Sequence, residues 1–176
     1  HQTTDGKGTY ANLGASIYGI LELPGRQGLL GRLRADAMVG TPPEQATLRL
    51  GGIYRGSRGY ESDAARSDIF RTIATLEHRH AFFTGARINF WGGLMWTRME
   101  GAFFANATFL PGHDTDCASP AFYDVGYGLR FIGDVLNISP AAIVLDVGLP
   151  LNPCAKRSEH QPVTVYLSFL QSLSGF

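Results

Sequence analysis

The sequence predicts an all-β fold, an antiparallel transmembrane β-barrel built from eight strands in this chain. Three observations carry that expectation. The segment Val163–Leu173 alternates: apolar Val163, Val165, Leu167, Phe169 and Leu173 stand against Thr164, Tyr166, Ser168 and Ser172, and Phe176 follows. Seven earlier segments alternate in the same way, with their charges on one parity. The segments run about 10–14 residues, longer than ordinary sandwich strands and suited to crossing a bilayer at a tilt.

The first expected strand, 10–23, sets Leu13, Ala15, Ile17, Leu21 and Leu23 against Asn12, Ser16 and Glu22. The second, 28–39, opposes Leu29, Leu33, Ala35 and Val39 to Arg32, Arg34 and Asp36. In the third, 46–54, Ala46, Leu48 and Leu50 oppose Thr47 and Arg49. The fourth, 68–80, places Phe70, Ala74 and Leu76 opposite Arg71, Glu77 and Arg79. Next comes 95–110, with Met99, Phe103 and Phe109 against Arg98, Glu100 and Asn106. The sixth, 121–133, sets Tyr123, Val125, Tyr127, Leu129 and Phe131 against Asp124 and Arg130. The seventh, 141–150, opposes Ile143, Leu145, Val147 and Leu149 to Asp146, and 162–173 is the closing strand. Turn chemistry separates them at Pro24-Gly25, Thr41-Pro42-Pro43, Thr84-Gly85, Pro111-Gly112, Ser139-Pro140 and Asn152-Pro153.

A two-residue period alone fits a soluble sandwich as well as a barrel. Besides strand length, two features favour the barrel. The polar parity uses glycine and arginine, and the only lysines are Lys7 and Lys156. Aromatics such as Tyr10, Trp91, Trp96 and Phe122 gather near strand ends, as interfacial rings do. Bulk composition agrees: 176 residues, 22 glycines and 11% aromatics suit one β domain, residues 1–176. Fifteen basic and 15 acidic residues cancel to a net charge of +0, which gives no electrostatic reason to expect nucleic acid. No apolar run reaches the ~18 residues of a membrane helix. For an exported protein, a chain opening at His1 without a signal peptide would be a mature or excised form.

Several stretches carry a resemblance. Leu48-Arg-Leu-Gly-Gly52 is followed by Ser57-Arg-Gly-Tyr60; then come Leu76-Glu-His-Arg79, Gly101 through Ala107, Asp124-Val-Gly-Tyr-Gly-Leu-Arg130 and Pro140 through Asp146-Val-Gly-Leu-Pro150. In this order they resemble the C-terminal barrel region of the BamA-type outer-membrane assembly superfamily. That group (Omp-eighty-five) includes bacterial surface antigens, two-partner secretion transporters and patatin-fused barrels.

The resemblance implies an integral outer-membrane protein, the C-terminal half of a sixteen-stranded barrel, that inserts or translocates polypeptides. It implies that a long loop, about 55–67, folds into the lumen as a latch of Arg58, Gly59 and Tyr60, with Glu77 as first partner of Arg58. Glu100 and Asn106 are further latch candidates, although Asn106 stands where the family has aspartate. Lumen-facing strand motifs would be Gly126, Gly128, Arg130 and Asp146. The closing-strand signal would be Tyr166, Phe169 and Phe176, beside a weak seam where client strands or lipids enter. The alternative is a complete eight-stranded outer-membrane barrel with a structural, adhesive or lipid-interacting role.

Expected partners are outer-membrane lipids, a polypeptide client, and further strands from the same chain, another chain or a homodimer mate. The 111–120 and 151–161 connections fall on the side of the Arg58 loop, so Cys117 and Cys154 are expected to form a disulfide. His78, His80, His113 and His160 show no zinc spacing, and Gly56-Ser57-Arg58-Gly59 is not a nucleophile elbow, so neither metal, cofactor nor enzyme activity is expected.

Overall fold

The computed structural model describes residues 9–43, 46–52, 56–62, 64–90, 93–114, 119–135, 139–152 and 163–171. Among these residues nine strands form: β1 (Tyr10–Leu23), β2 (Gln27–Gly40), β3 (Leu48–Arg49), β4 (Arg66–Ser67), β5 (Phe70–Phe90), β6 (Leu94–Phe109), β7 (Ala121–Val135), β8 (Ser139–Pro150) and β9 (Thr164–Gln171). Seven of them make one antiparallel meander in the order β1-β2-β5-β6-β7-β8-β9, and β3 pairs with β4 as a separate ribbon. The large sheet is open, with β1 and β9 at its edges.

The first hairpin turns through Gly25 (φ 79) and Arg26 (φ 61), both in the left-handed region that glycine enters without strain. The register then runs unbroken from Leu23↔Gln27 to Tyr10↔Gly40. Such long pairings suit sequences whose two faces differ sharply, because a one-residue slip would exchange them.

Two expectations need correction. The expected third strand, 46–54, does not join the large sheet. Only Leu48–Arg49 is extended there, and it pairs with Arg66–Ser67 inside the 41–69 connection. The alternation of Ala46, Leu48 and Leu50 is real, but those side chains pack with Met38, Tyr60, Leu110 and Phe122 in a local core. The sheet of the described residues therefore has seven strands rather than eight. The fourth segment, expected over 68–80, runs on to Phe90. Gly85 (φ 76) is absorbed in a stretch of shifted register between Thr84 and Ile88, rather than ending the strand.

The connections divide between two ends. Short ones at 24–26, 91–93 and 136–138 leave one end, and long ones at 41–69, 110–120 and 151–163 leave the other. The 41–69 segment lies across one face of the sheet, here the inner face. The outer face presents Leu33, Leu76, Phe103, Tyr123, Val147 and Leu167, all exposed. The inner face carries Asp36, Arg71, Glu77, Glu100, Asn106, Asp124, Arg130 and Asp146, all buried. Where the 41–69 segment lies, the polar face is thus covered while the apolar face behind it is bare.

Candidate functional site

The site forms where the tip of the 41–69 segment meets the inner face of β5–β9. The segment reaches that face as a folded unit. Leu50 N–H donates to the Ala65 carbonyl (2.9 Å), and Ser57 N–H donates to the Leu50 carbonyl (2.8 Å). Leu48, Leu50, Tyr60, Ala64 and Ala65 close over Met38, Leu110 and Phe122, with Tyr60 edge-on to Phe122 at 5.9 Å. At its base, Arg71 donates to the Arg49 carbonyl (2.5 Å) and to Asp36 (2.6 Å). Asp36 also receives the fork of Arg34. One wall residue, Arg71, therefore ties the loop backbone to the sheet.

Arg58 lies at the tip, buried. Its Nη2 meets Glu77 at 2.8 Å and its Nη1 meets Asp146 at 3.2 Å. Its guanidinium carbon stands 3.7 Å over the centroid of the Phe104 ring. Two carboxylates and a π face offset the water that a buried guanidinium gives up. Glu77 is itself shared, accepting from Arg79 (2.6 Å) and meeting Arg130 at 3.1 Å. The charges form a network across β5, β7, β8 and the tip.

Backbone contacts fix the tip as firmly as charge does. Gly59 N–H donates to Asp124 at 3.1 Å, and Asn106 donates to the same oxygen at 2.6 Å. Thr164 donates to the Gly59 carbonyl (3.1 Å), and the Tyr166 hydroxyl donates to the Tyr60 carbonyl (2.6 Å). The Tyr60 hydroxyl donates to the Tyr123 carbonyl at 2.9 Å, and the Ser57 and Thr108 hydroxyls are 2.6 Å apart.

Missing side chains on the wall make the approach possible. A Cβ on Gly148 would sit 2.6 Å from the Arg58 carbonyl oxygen and 2.7 Å from Gly59 Cα. One on Gly126 would strike the Phe104 ring, and one on Gly128 would strike Asp146. The wall glycines of β7 and β8 are thus a recess cut for the tip, for the ring beneath Arg58 and for its carboxylate partner.

Of the residues singled out in the sequence, Arg58, Gly59, Tyr60, Glu77, Arg130 and Asp146 converge here, with Gly126 and Gly128 behind them. Asn106 touches Asp124 and Thr75 rather than Arg58. Glu100 pairs with Arg98, away from the tip. Tyr166 points inward onto the tip, and Phe169 points outward, exposed. Phe176, Cys117 and Cys154 lie outside the described residues, so the expected disulfide does too.

Sequence reading missed the roles of Asp124, Gly148 and Phe104. Phe104 did leave a signal: it is a ring on the charged parity of β6, directly opposite Gly126. Among the described residues, no group of three His, Cys, Asp or Glu side chains could hold a metal.

Comparison with family models, with curated proteins and with solved structures returns no match for this chain.

Proposed function

We propose that the chain is part of an outer-membrane β-barrel that inserts or translocates polypeptides, with the 41–69 segment docked inside as a latch. The observation that carries this reading is the buried Arg58–Gly59–Tyr60 tip, seated between two carboxylates on a glycine-cut wall. A loop folded back against the polar face has a clear physical use in a membrane. It fills a lumen with ion-paired and hydrogen-bonded side chains while the opposite, apolar face meets lipid. The order of motifs around the tip, which resembles the BamA-type superfamily, supplies the polypeptide-handling part of the reading. In this reading the sheet edge at β9 is the weak seam where client strands enter. No nucleotide or cofactor takes part.

The test has two arms. The purified chain, alone or with the strands that complete its barrel, is offered to liposomes and then to protease. Protected strands with accessible long loops support the membrane reading, and recovery as a detergent-free soluble protein overturns it. Arg58→Ala is then assayed for client secretion or insertion in cells. Unchanged client handling with normal protein levels overturns the latch.

A further inference from the structure

On three neighbouring strands, an arginine and a carboxylate stand two residues apart on the inner face. They are Arg34 and Asp36 on β2, Glu77 and Arg79 on β5, and Arg98 and Glu100 on β6, each an ion pair. Strand direction reverses at each step, and the order of the two residues reverses with it. Within each pair the carboxylate therefore lies nearer the end with the long connections and the arginine nearer the end with the short ones.

Depth separates the charges a second time. Side-chain exposure is 3% for Asp36, 4% for Glu77 and 4% for Glu100. It is 23% for Arg34, 31% for Arg79 and 49% for Arg98. A network that served only to cancel charge would bury both members. Here the carboxylates are sunk beneath the guanidiniums, and what faces the inner space is cationic. Arg32 shares the inward parity on β2, and the acids on that parity near the short connections are Glu22 on β1 and Asp134 on β7.

From this arrangement, and resting on the polypeptide-handling reading above, we infer that the inner face beyond the docked loop is a receiving surface for acidic segments of an extended polypeptide. Guanidinium forks bind carboxylates in fixed, planar geometry. The register sets Arg34 level with Ile73 and Arg98 level with Thr84, so Arg34, Arg79 and Arg98 step diagonally across the sheet over roughly 35 Å. Side chains on one face of an extended peptide recur every ~7 Å, so an acidic segment of about ten residues can follow this diagonal. The sunken acids hold each fork in place before the client arrives, which lowers the ordering cost of binding.

Neutral-dye-labelled deca-glutamate, deca-glutamine and deca-lysine peptides test this by fluorescence anisotropy with the full chain in neutral detergent. Deca-glutamate is expected to bind at least tenfold more tightly than either other peptide at low salt, and to weaken as salt rises. The triple variant R34Q/R79Q/R98Q is expected to lose at least tenfold. Because that variant strands buried carboxylates, R98Q alone, at the most exposed position, is measured beside it and is expected to lose about two- to fivefold with an unchanged melting transition. Equal binding of the three peptides, or wild-type affinity in R98Q and the triple variant alike, overturns the inference. Liposome insertion separates the two readings: insertion without acidic preference sinks this inference alone, and acidic preference without insertion sinks the membrane reading alone.

Discussion

Gly59→Ala isolates the close approach of the tip from its charge. A methyl at Gly59 would collide with the Asp124 Cβ and lie 3.0 Å from its Cγ and 3.1 Å from the Leu149 carbonyl carbon. Asp124 is held by pairing on both sides and Leu149 by pairing with Val125, so the tip must lift. Forcing a methyl into such a contact costs about 1–3 kcal/mol. Lifting also lengthens the 3.1 Å bond from Gly59 N–H to Asp124, whose loss costs about 1.5–3 kcal/mol because the acceptor is charged. The expected destabilisation is about 2.5–6 kcal/mol. Gly31→Ala is the matched control, because a Cβ there meets nothing within 4 Å; it should change stability by about 0.5 kcal/mol or less. Urea unfolding of both variants refolded in the same detergent reads the difference, and trypsin cleavage after Arg58 reports whether the tip has lifted. Gly148→Ala strikes the same contact from the wall, so the double variant should fall well short of the summed single effects. If Gly59→Ala and Gly31→Ala unfold within about 1 kcal/mol of each other, the recess argument is wrong.

Three other outcomes follow from the same geometry. Arg58→Ala leaves Glu77 and Asp146 with a lost partner in a buried site and should cost about 3–5 kcal/mol, and Arg58→Lys, which cannot fork to both, should recover only part of it in urea unfolding. Phe122→Ala empties the core under the loop and should cost about 3–5 kcal/mol, whereas Phe103→Ala on the exposed face should cost about 1 kcal/mol or less in detergent; the reverse order would show that the faces are assigned backwards. Asn106→Asp places a second carboxylate where an amide donates to Asp124 at 2.6 Å, so it should destabilise by about 1–3 kcal/mol, and a more stable variant would remove Asp124 from the anchoring role.

Much of the large sheet was legible because its strands show two unlike faces. β1, β7 and β8 begin and end within a few residues of their expected bounds, since charge on one parity and apolar bulk on the other fix the register. The 46–54 segment misled because alternation says which side chains share a face, not which sheet the face joins. Its apolar parity is buried under the loop, against Met38 and Phe122, instead of facing outward. β5 was read short because Thr84-Gly85 has turn chemistry, and pairing with β6 carries the chain past it. At the site, Arg58 and Glu77 stood out as a buried-charge problem needing a solution. The second half of that solution, Asp146, depends on β8 lying two strands beyond β6, and no local pattern states that distance. Asp124 was visible only as an inward carboxylate. Its bond to the Gly59 amide depends on where the loop lands.

The edges of the sheet have a directional consequence. In a meander of seven antiparallel strands, β1 and β9 point the same way, both starting from the end that carries the 41–69 segment. Rolling the sheet up on itself would join them as a parallel seam. So would setting two copies side by side in the same orientation, edge to edge. A barrel that is antiparallel all the way round has an even number of strands. To complete one, this sheet must be joined by an odd number of further strands, the outermost two both running opposite to β1 and β9. Handedness of direction, rather than length or affinity, is therefore the first filter on what can lie against either edge.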